Sequence, residues 1–177
     1  AIEFIVPEHH FSHACQAYLS SPFNDAAIMI VDGQGVPLAR TDGDQLSGCL
    51  AHGKGNSIEL LRDLSVRQSL GGTYASFTKK IGFKTNEEGK TMGLAPYGGP
   101  EFYDMLKKDL KYDTKDFDVR RFGSLIKRGF LPKEALYKLP RCEGLLRKFE
   151  RRKKGEEFSD VHKSLAYAVQ KITEDVM

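Results

Sequence analysis

The sequence predicts a mixed α/β (α+β) domain built from an antiparallel meander and packing helices. Residues 9–19 carry apolar positions at helical spacing. They are followed by the continuous apolar run Ala26-Ala27-Ile28-Met29-Ile30-Val31. Glycine-rich turns at 32–35 and 42–44 then separate short extended stretches, and residues 157–177 return to a helical apolar period. A chain that switches between periods of 2 and 3.6 residues pairs strands with helices.

In chain order, residues 4–6 read as the end of a strand, broken by Pro7. Over 9–19, Phe11, Ala14, Cys15, Tyr18 and Leu19 fall on an i, i+3, i+4 stripe, so this segment is a helix. Residues 20–25 are a turn cluster, and 26–31 is expected to be a strand buried on both faces. Asp32-Gly33-Gln34-Gly35 turns tightly. Residues 36–41 form the second strand of a hairpin, Asp42-Gly43-Asp44 turns again, and 45–52 form a third strand.

Asn56 or Ser57 is expected to cap a helix running to about Ser69, with Ile58, Leu61 and Leu64 on its apolar face. Gly71-Gly72 breaks it, helix resumes over 73–81, and Gly82-Phe83 closes it as a C-cap. Residues 84–90 read as a polar loop. Residues 91–99 are small and glycine-rich, with Met92 in the core and Pro96 stopping any helix. A short helix covers 100–110. The last helix puts Val161, Leu165, Ala168, Val169, Ile172 and Val176 on one face, with Ser159 as N-cap and His162 three residues beyond it. The organisation is therefore a metal-binding helix region at 1–20, sheet and helices at 26–98, a basic insertion at 107–157 and a helix at 158–177.

At 177 residues the chain can bury the core of one domain. No apolar run approaches the ~18 residues of a membrane-spanning helix, so no membrane association is expected. The start Ala-Ile-Glu-Phe-Ile-Val-Pro has no basic n-region and reads like a strand entered in mid-course. The expectation is a piece of a longer polypeptide. Cys15, Cys49 and Cys142 are odd in number, far apart and in no CxxC pattern, which points to reduced thiols and a cytoplasmic protein. Cys15, close to a histidine cluster, fits a small buried apolar residue better than a reactive thiol.

The net charge of +3 hides an asymmetry. Residues 107–157 hold 17 Lys/Arg against 9 Asp/Glu, leaving 10 against 15 in the rest. The run Arg147-Lys148-Phe149-Glu150-Arg151-Arg152-Lys153-Lys154 could meet nucleic acid. It lacks the interleaved aromatics of RNA-binding surfaces, so a solvated helix end and loop is the preferred reading and a nucleic-acid partner is not expected.

Three of the five histidines lie in His9-His10-Phe11-Ser12-His13. On a helix, His9 and His13 at i, i+4 share one face, one turn apart, which is how a helix offers two nitrogens to one metal ion. Asp32, after the next apolar run, could add a carboxylate oxygen. Two imidazoles and a carboxylate suit Fe(II), Zn or a related divalent ion. A plain turn role for Asp32 stands beside this, because Asp-Gly is common hairpin chemistry. His10, about 100° further round the helix, is expected to point elsewhere, behind the ligands or into solvent. His52 and His162 have no partner evident in sequence.

Taken in order, several segments resemble the O-carbamoyltransferases of the nodulation-protein and antibiotic-tailoring type. They are His9-His10-Phe11-Ser12-His13-Ala14, Ser21-Pro22-Phe23, Val31-Asp32-Gly33-Gln34-Gly35, Ser69-Leu70-Gly71-Gly72-Thr73-Tyr74 and Gly89-Lys90-Thr91-Met92-Gly93-Leu94-Ala95-Pro96-Tyr97-Gly98. The helix from His162 through Gln170 is similar too, so the resemblance covers nearly the whole chain.

The resemblance implies a partial ribonuclease-H-like, actin-like ATPase-type domain. It also implies a YrdC-like domain elsewhere in the polypeptide that makes carbamoyl-adenylate from carbamoyl phosphate and ATP. The carbamoyl group then passes to a hydroxyl of a small-molecule acceptor. A cleft metal, iron in that family, carries over to His9, His13 and Asp32, with a further carboxylate later in the longer chain. Nucleotide contacts would fall to Asp32, Gly33, Gly71 and Lys90, because glycine-rich turns let backbone N–H groups reach phosphates. The first strands of the ATPase-like lobe, its last glycine-rich segment and the YrdC-like domain lie outside this sequence, so the piece alone is not expected to complete the reaction. Two other readings are a relative of the tRNA threonylcarbamoyl-transferring enzyme, and a non-catalytic interaction module with a structural histidine cluster.

Overall fold

The computed structural model of the chain describes residues 7–35, 45–66, 69–110, 112–113, 118–119, 146 and 148–177. The expected strand at 4–6, the second hairpin strand at 36–41, its turn at 42–44, Cys142 and most of the basic insertion lie outside them. The chain divides into two compact units, Ala1–Gly71 and Gly72–Met177. No helix among the described residues is long and apolar enough to cross a membrane.

The first unit is a helix on a three-stranded antiparallel sheet of order β1-β2-β3. Helix α1 (His9–Leu19) starts where Pro7 ends the preceding segment, and Glu8 caps it. Strand β1 (Asp25–Val31) pairs with β2 (Leu46–Lys54), and β2 pairs with β3 (Ser57–Ser65). Ala14 and Tyr18 of α1 pack on Ile28 and Ala51, with Ala26, Ile30, Ile58 and Leu60 around them. A Cβ at Gly53 would stand 2.6 Å from the Tyr18 ring, so glycine lets the ring lie flat on the strand.

Two expectations fail in this unit. Residues 57–65 form a strand, not a helix. Ile58 and Leu60 pack on the core of this unit while Glu59 and Leu61 are exposed, a period of two, and Leu64 is buried beyond a register shift at Leu61. Gly55, at φ +57°, and Asn56 turn β2 into β3 with Lys54 opposite Ser57. Strand β1 is not buried on both faces. It is an edge among the described strands, only Ile28 is fully buried, and Ala27 on the other face is exposed.

Among the described residues, the second unit packs four helices around Phe77, Ile81, Leu106, Leu165, Val169 and Ile172. They are α2 (Leu70–Ile81), α3 (Glu88–Leu94), α4 (Tyr103–Leu110) and α5 (Asp160–Val176). A two-residue pair, β4 (Tyr112–Asp113) with β5 (Asp118–Val119), is what is described of the start of the basic segment.

Gly71 and Gly72 do not break a helix; they lie in the first turn of α2, with the boundary between the units after Gly71. The expected C-cap is present. Gly82 sits at φ +100°, its N–H donates to Lys79 O, and the Phe83 N–H donates to Thr78 O, the two bonds of a Schellman end. The polar loop is shorter than expected, because α3 begins at Glu88. Met92 is 58% exposed, not core; the inward residue of α3 is Thr91, whose hydroxyl donates to Thr78 Oγ1 at 2.9 Å. Pro96 falls in a 3-10 turn that ends α3.

Helix α5 buries the expected face except Val161. Ser159 and His162 form a reciprocal capping box at its start, so His162 has a local partner. Of the basic run, Arg152 lies over the Phe158 ring at 4.2 Å and donates to Glu156 O at 2.7 Å. Its charge is spent on the loop's own packing.

Candidate metal centre

The first turn of α1 is built by Glu8. Its carboxylate accepts the backbone N–H groups of His10 and Phe11, each at 3.0 Å, which satisfies donors that a helix start leaves open. An anionic cap also suits the positive end of the helix dipole. Ala14 and Tyr18, packed on the sheet, set which face of α1 turns inward. His9 and His13 then face the same way, their rings edge to face with centroids 4.7 Å apart.

Asp32 arrives from the end of β1. Its backbone N–H donates to Ser47 O at 2.7 Å, and Gly35 N–H donates to Leu46 O at 2.7 Å, so the turn stays tied to β2. The pairing of β2 with β3 shifts register between Leu46 and Gly48, and Gly48 stands opposite Val31, the residue before Asp32. A Cβ at Gly48 would collide with the Ile30 carbonyl oxygen. A bulge beside a site re-aims the side chain next to it.

From the other side, the Ser69 hydroxyl lies 3.0 Å from Asp32 O and 2.7 Å from Gly33 O. A Cβ on Gly71 would come within 2.9 Å of the Asp32 and Gly33 backbone. The glycine lets the start of α2 press directly on this turn.

Within this frame three ligand atoms converge. His9 Nε2 lies 2.8 Å from Asp32 Oδ2, and His13 Nε2 lies 4.0 Å from the same oxygen. One donor atom from each of His9, His13 and Asp32 sits within 4.8 Å of the others. All three side chains are partly open to solvent, at 38%, 48% and 34%. The other carboxylate oxygen, Oδ1, accepts the Gly33 N–H at 2.6 Å, which leaves Oδ2 turned to the imidazoles. Partial burial pushes the Asp32 carboxyl up. The His9 and Gly33 hydrogen bonds and the neighbouring imidazoles outweigh it, so the group lies below its ordinary value and is a carboxylate at neutral pH. Two nitrogen donors and one anionic oxygen, reachable from solvent and held from behind, fit a divalent transition metal.

His10 takes the first of its two expected places, behind the ligands and out of solvent: its side chain is 1% exposed, with Nε2 3.7 Å from Asp32 Oδ2 and Nδ1 3.6 Å from Glu8 Oε1. A Cβ at Gly35 would stand 2.5 Å from His10 Cε1, so the ring fills the space that this glycine leaves open. Burial pushes the His10 imidazole down, against the upward pull of Glu8 and Asp32. The roles of Glu8, Gly35 and Ser69 escaped the reading of the sequence, Glu not being among the usual capping residues.

Of the residues expected to meet a nucleotide, Asp32, Gly33 and Gly71 come together at this turn. The Gly33 N–H is taken by Asp32, and a Cβ at Gly33 would meet nothing within 4 Å. Lys90 belongs to the second unit, where its amine donates to Glu87 Oε1 at 2.6 Å. His52 lies apart from the trio on β2 and does have a partner, Asp25 Oδ1 at 2.9 Å.

Comparison with known proteins gives a consistent picture. A family model described as carbamoyltransferase N-terminus matches residues 2–171. The nodulation protein NolNO of Sinorhizobium fredii is 32% identical over 96% of this chain, and the nodulation protein NolO of Bradyrhizobium diazoefficiens is 30% identical over 96%. An uncharacterized protein of Synechocystis is 39% identical over 58% of the chain. The matched parts make up 22%, 27% and 16% of those proteins, so the chain spans about a fifth of their length.

Proposed function

The chain belongs to the carbamoyltransferase N-terminus family, and from that membership we propose that it forms part of the transfer site of an O-carbamoyltransferase. The observation that carries this is the convergence of His9, His13 and Asp32 within 4.8 Å in a chain of that family. In this reading the polypeptide moves a carbamoyl group from carbamoyl-adenylate, made from carbamoyl phosphate and ATP, to a hydroxyl of a small-molecule acceptor. The sheet and helices are then part of an actin-like ATPase-type domain.

His9 Nε2, His13 Nε2 and Asp32 Oδ2 are the ligands of a divalent metal, with Fe(II) the favoured ion. When bound, such an ion supplies a Lewis acid that polarises a carbonyl and balances phosphate charge. The chain's own work is to hold the ligands in register. Glu8 caps α1, Gly33 N–H occupies Oδ1, and Gly71 and Ser69 brace the turn behind Asp32. Nucleotide binding draws on the open face of the Asp32–Gly33 turn in the first unit.

Metal analysis and a carbamoyl-transfer assay on the purified full-length polypeptide test the proposal. Wild type is expected to carry about one equivalent of divalent metal, and His9→Ala and His13→Ala to lose both the metal and transfer activity. Full activity in either variant overturns the ligand assignment. Transfer to tRNA instead of a small hydroxylated molecule overturns the acceptor class.

A further inference from the structure

His10 is nearly fully buried beside the ligand trio, yet neither ring nitrogen has a hydrogen-bond partner. A buried imidazole without partners costs free energy, and a phenylalanine would fill the same space without that cost. The polar atoms are therefore there for something the isolated geometry does not complete. They are aimed: Nε2 at Asp32 Oδ2 from 3.7 Å, and Nδ1 at Glu8 Oε1 from 3.6 Å. The pocket is cut for this ring, with Gly35 removing the one Cβ that would meet it and the Glu8 cap fixing where its backbone starts.

We propose that His10 is a positioning residue for the metal centre, its buried ring presenting the Nε2–H to Asp32 Oδ2. This rests on the metal reading above and deepens it. A neutral imidazole has one N–H and one lone pair. With the proton on Nε2, a movement of well under 1 Å completes a hydrogen bond to the carboxylate. That bond competes with His9 for Oδ2 and holds the carboxylate in one rotamer. Groups that orient a ligand in this way typically contribute about 10–100-fold in metal affinity. The glycine at 35 and the cap at Glu8 then serve the site through His10.

The test is titration of the purified, metal-stripped protein with Co(II), read by its visible d–d spectrum, with thermal melting of each metal-free variant alongside. His10→Phe keeps the ring and removes the nitrogens. His10→Gln places an amide N–H near the Nε2 position, and His10→Asn is too short to do so. The expected result is Co(II) affinity about 10–100-fold weaker with an altered spectrum in His10→Phe and His10→Asn, and recovery to within a few-fold in His10→Gln. Equal affinity in wild type and His10→Phe overturns the proposal, as does equal loss in His10→Gln and His10→Asn. The second comparison decides the matter even where His10→Phe does not fold. Retained tight binding in His9→Ala and His13→Ala, or none in wild type, overturns the ligand assignment and this inference with it. Loss in those two variants combined with an unaffected His10→Phe overturns this inference alone.

Discussion

At Gly71 a methyl group has nowhere to go. Its carbon would sit within 2.9 Å of the Asp32 and Gly33 backbone, which is rigid compared with a side-chain tip. Gly71→Ala is therefore expected to lower stability by about 1–3 kcal/mol through overpacking, and to weaken metal binding because the displaced atoms belong to the Asp32 turn. Chemical denaturation and metal titration measure the two effects; a change in neither removes Gly71 from the site. The doublet Gly71-Gly72 is visible in sequence as a break, but what the first glycine permits is an approach between residues 38 positions apart in the chain. His10 teaches the same lesson. Its neighbours at i±4 are legible, whereas Gly35, which makes room for it, follows a whole strand and turn. Periodicity places His10 off the His9–His13 face and says nothing of what waits there.

The helices that define themselves locally were the legible elements. For α1 and α5, stripe, cap and terminator all lie within the segment. The Ser159–His162 box is such a local device, and Ser159→Ala is expected to cost about 1 kcal/mol, seen as a lower melting temperature with the metal trio untouched. An unchanged melting temperature would show that the box contributes nothing. Strand β3 was misread because Ile58, Leu61 and Leu64 fit a helical spacing while Ile58, Leu60 and Leu64 fit a strand. The pairing with β2 decided between them, since it turns Ile58 and Leu60 to the core and leaves Leu61 out at a register shift. Strand β1 looked doubly buried because every residue from Ala26 to Val31 is apolar. Only packing against α1 shows that one face, through Ile28, does the burying.

At the scale of the whole molecule, each unit has ion pairs of its own. In the second, Lys107 Nζ lies 2.7 Å from Asp175 Oδ2, Tyr103 donates to the same carboxylate, and α4 is thereby tied to α5. The Lys107 and Tyr103 hydrogen bonds hold the Asp175 carboxyl down at about 2. A carboxylate depressed in the folded state stabilises fully above its unfolded value, near 3.9, and the contribution disappears as pH falls through about 2. Asp175→Asn is thus expected to melt below wild type at pH 6, with the gap closing between about pH 4 and 2. A gap independent of pH would mean that the charge is not what ties the helices. By itself, the sequence determined the helices α1 and α5, the cap of α5, and the trio His9, His13 and Asp32 as candidate ligands. Those follow from spacing and local chemistry, which a linear chain displays. The tertiary structure alone decided that 57–65 is a strand, that Gly71 and Ser69 brace the Asp32 turn, and that His10 is shut in between Glu8 and Asp32. Each of these depends on which distant backbone comes close, and that proximity is created by folding.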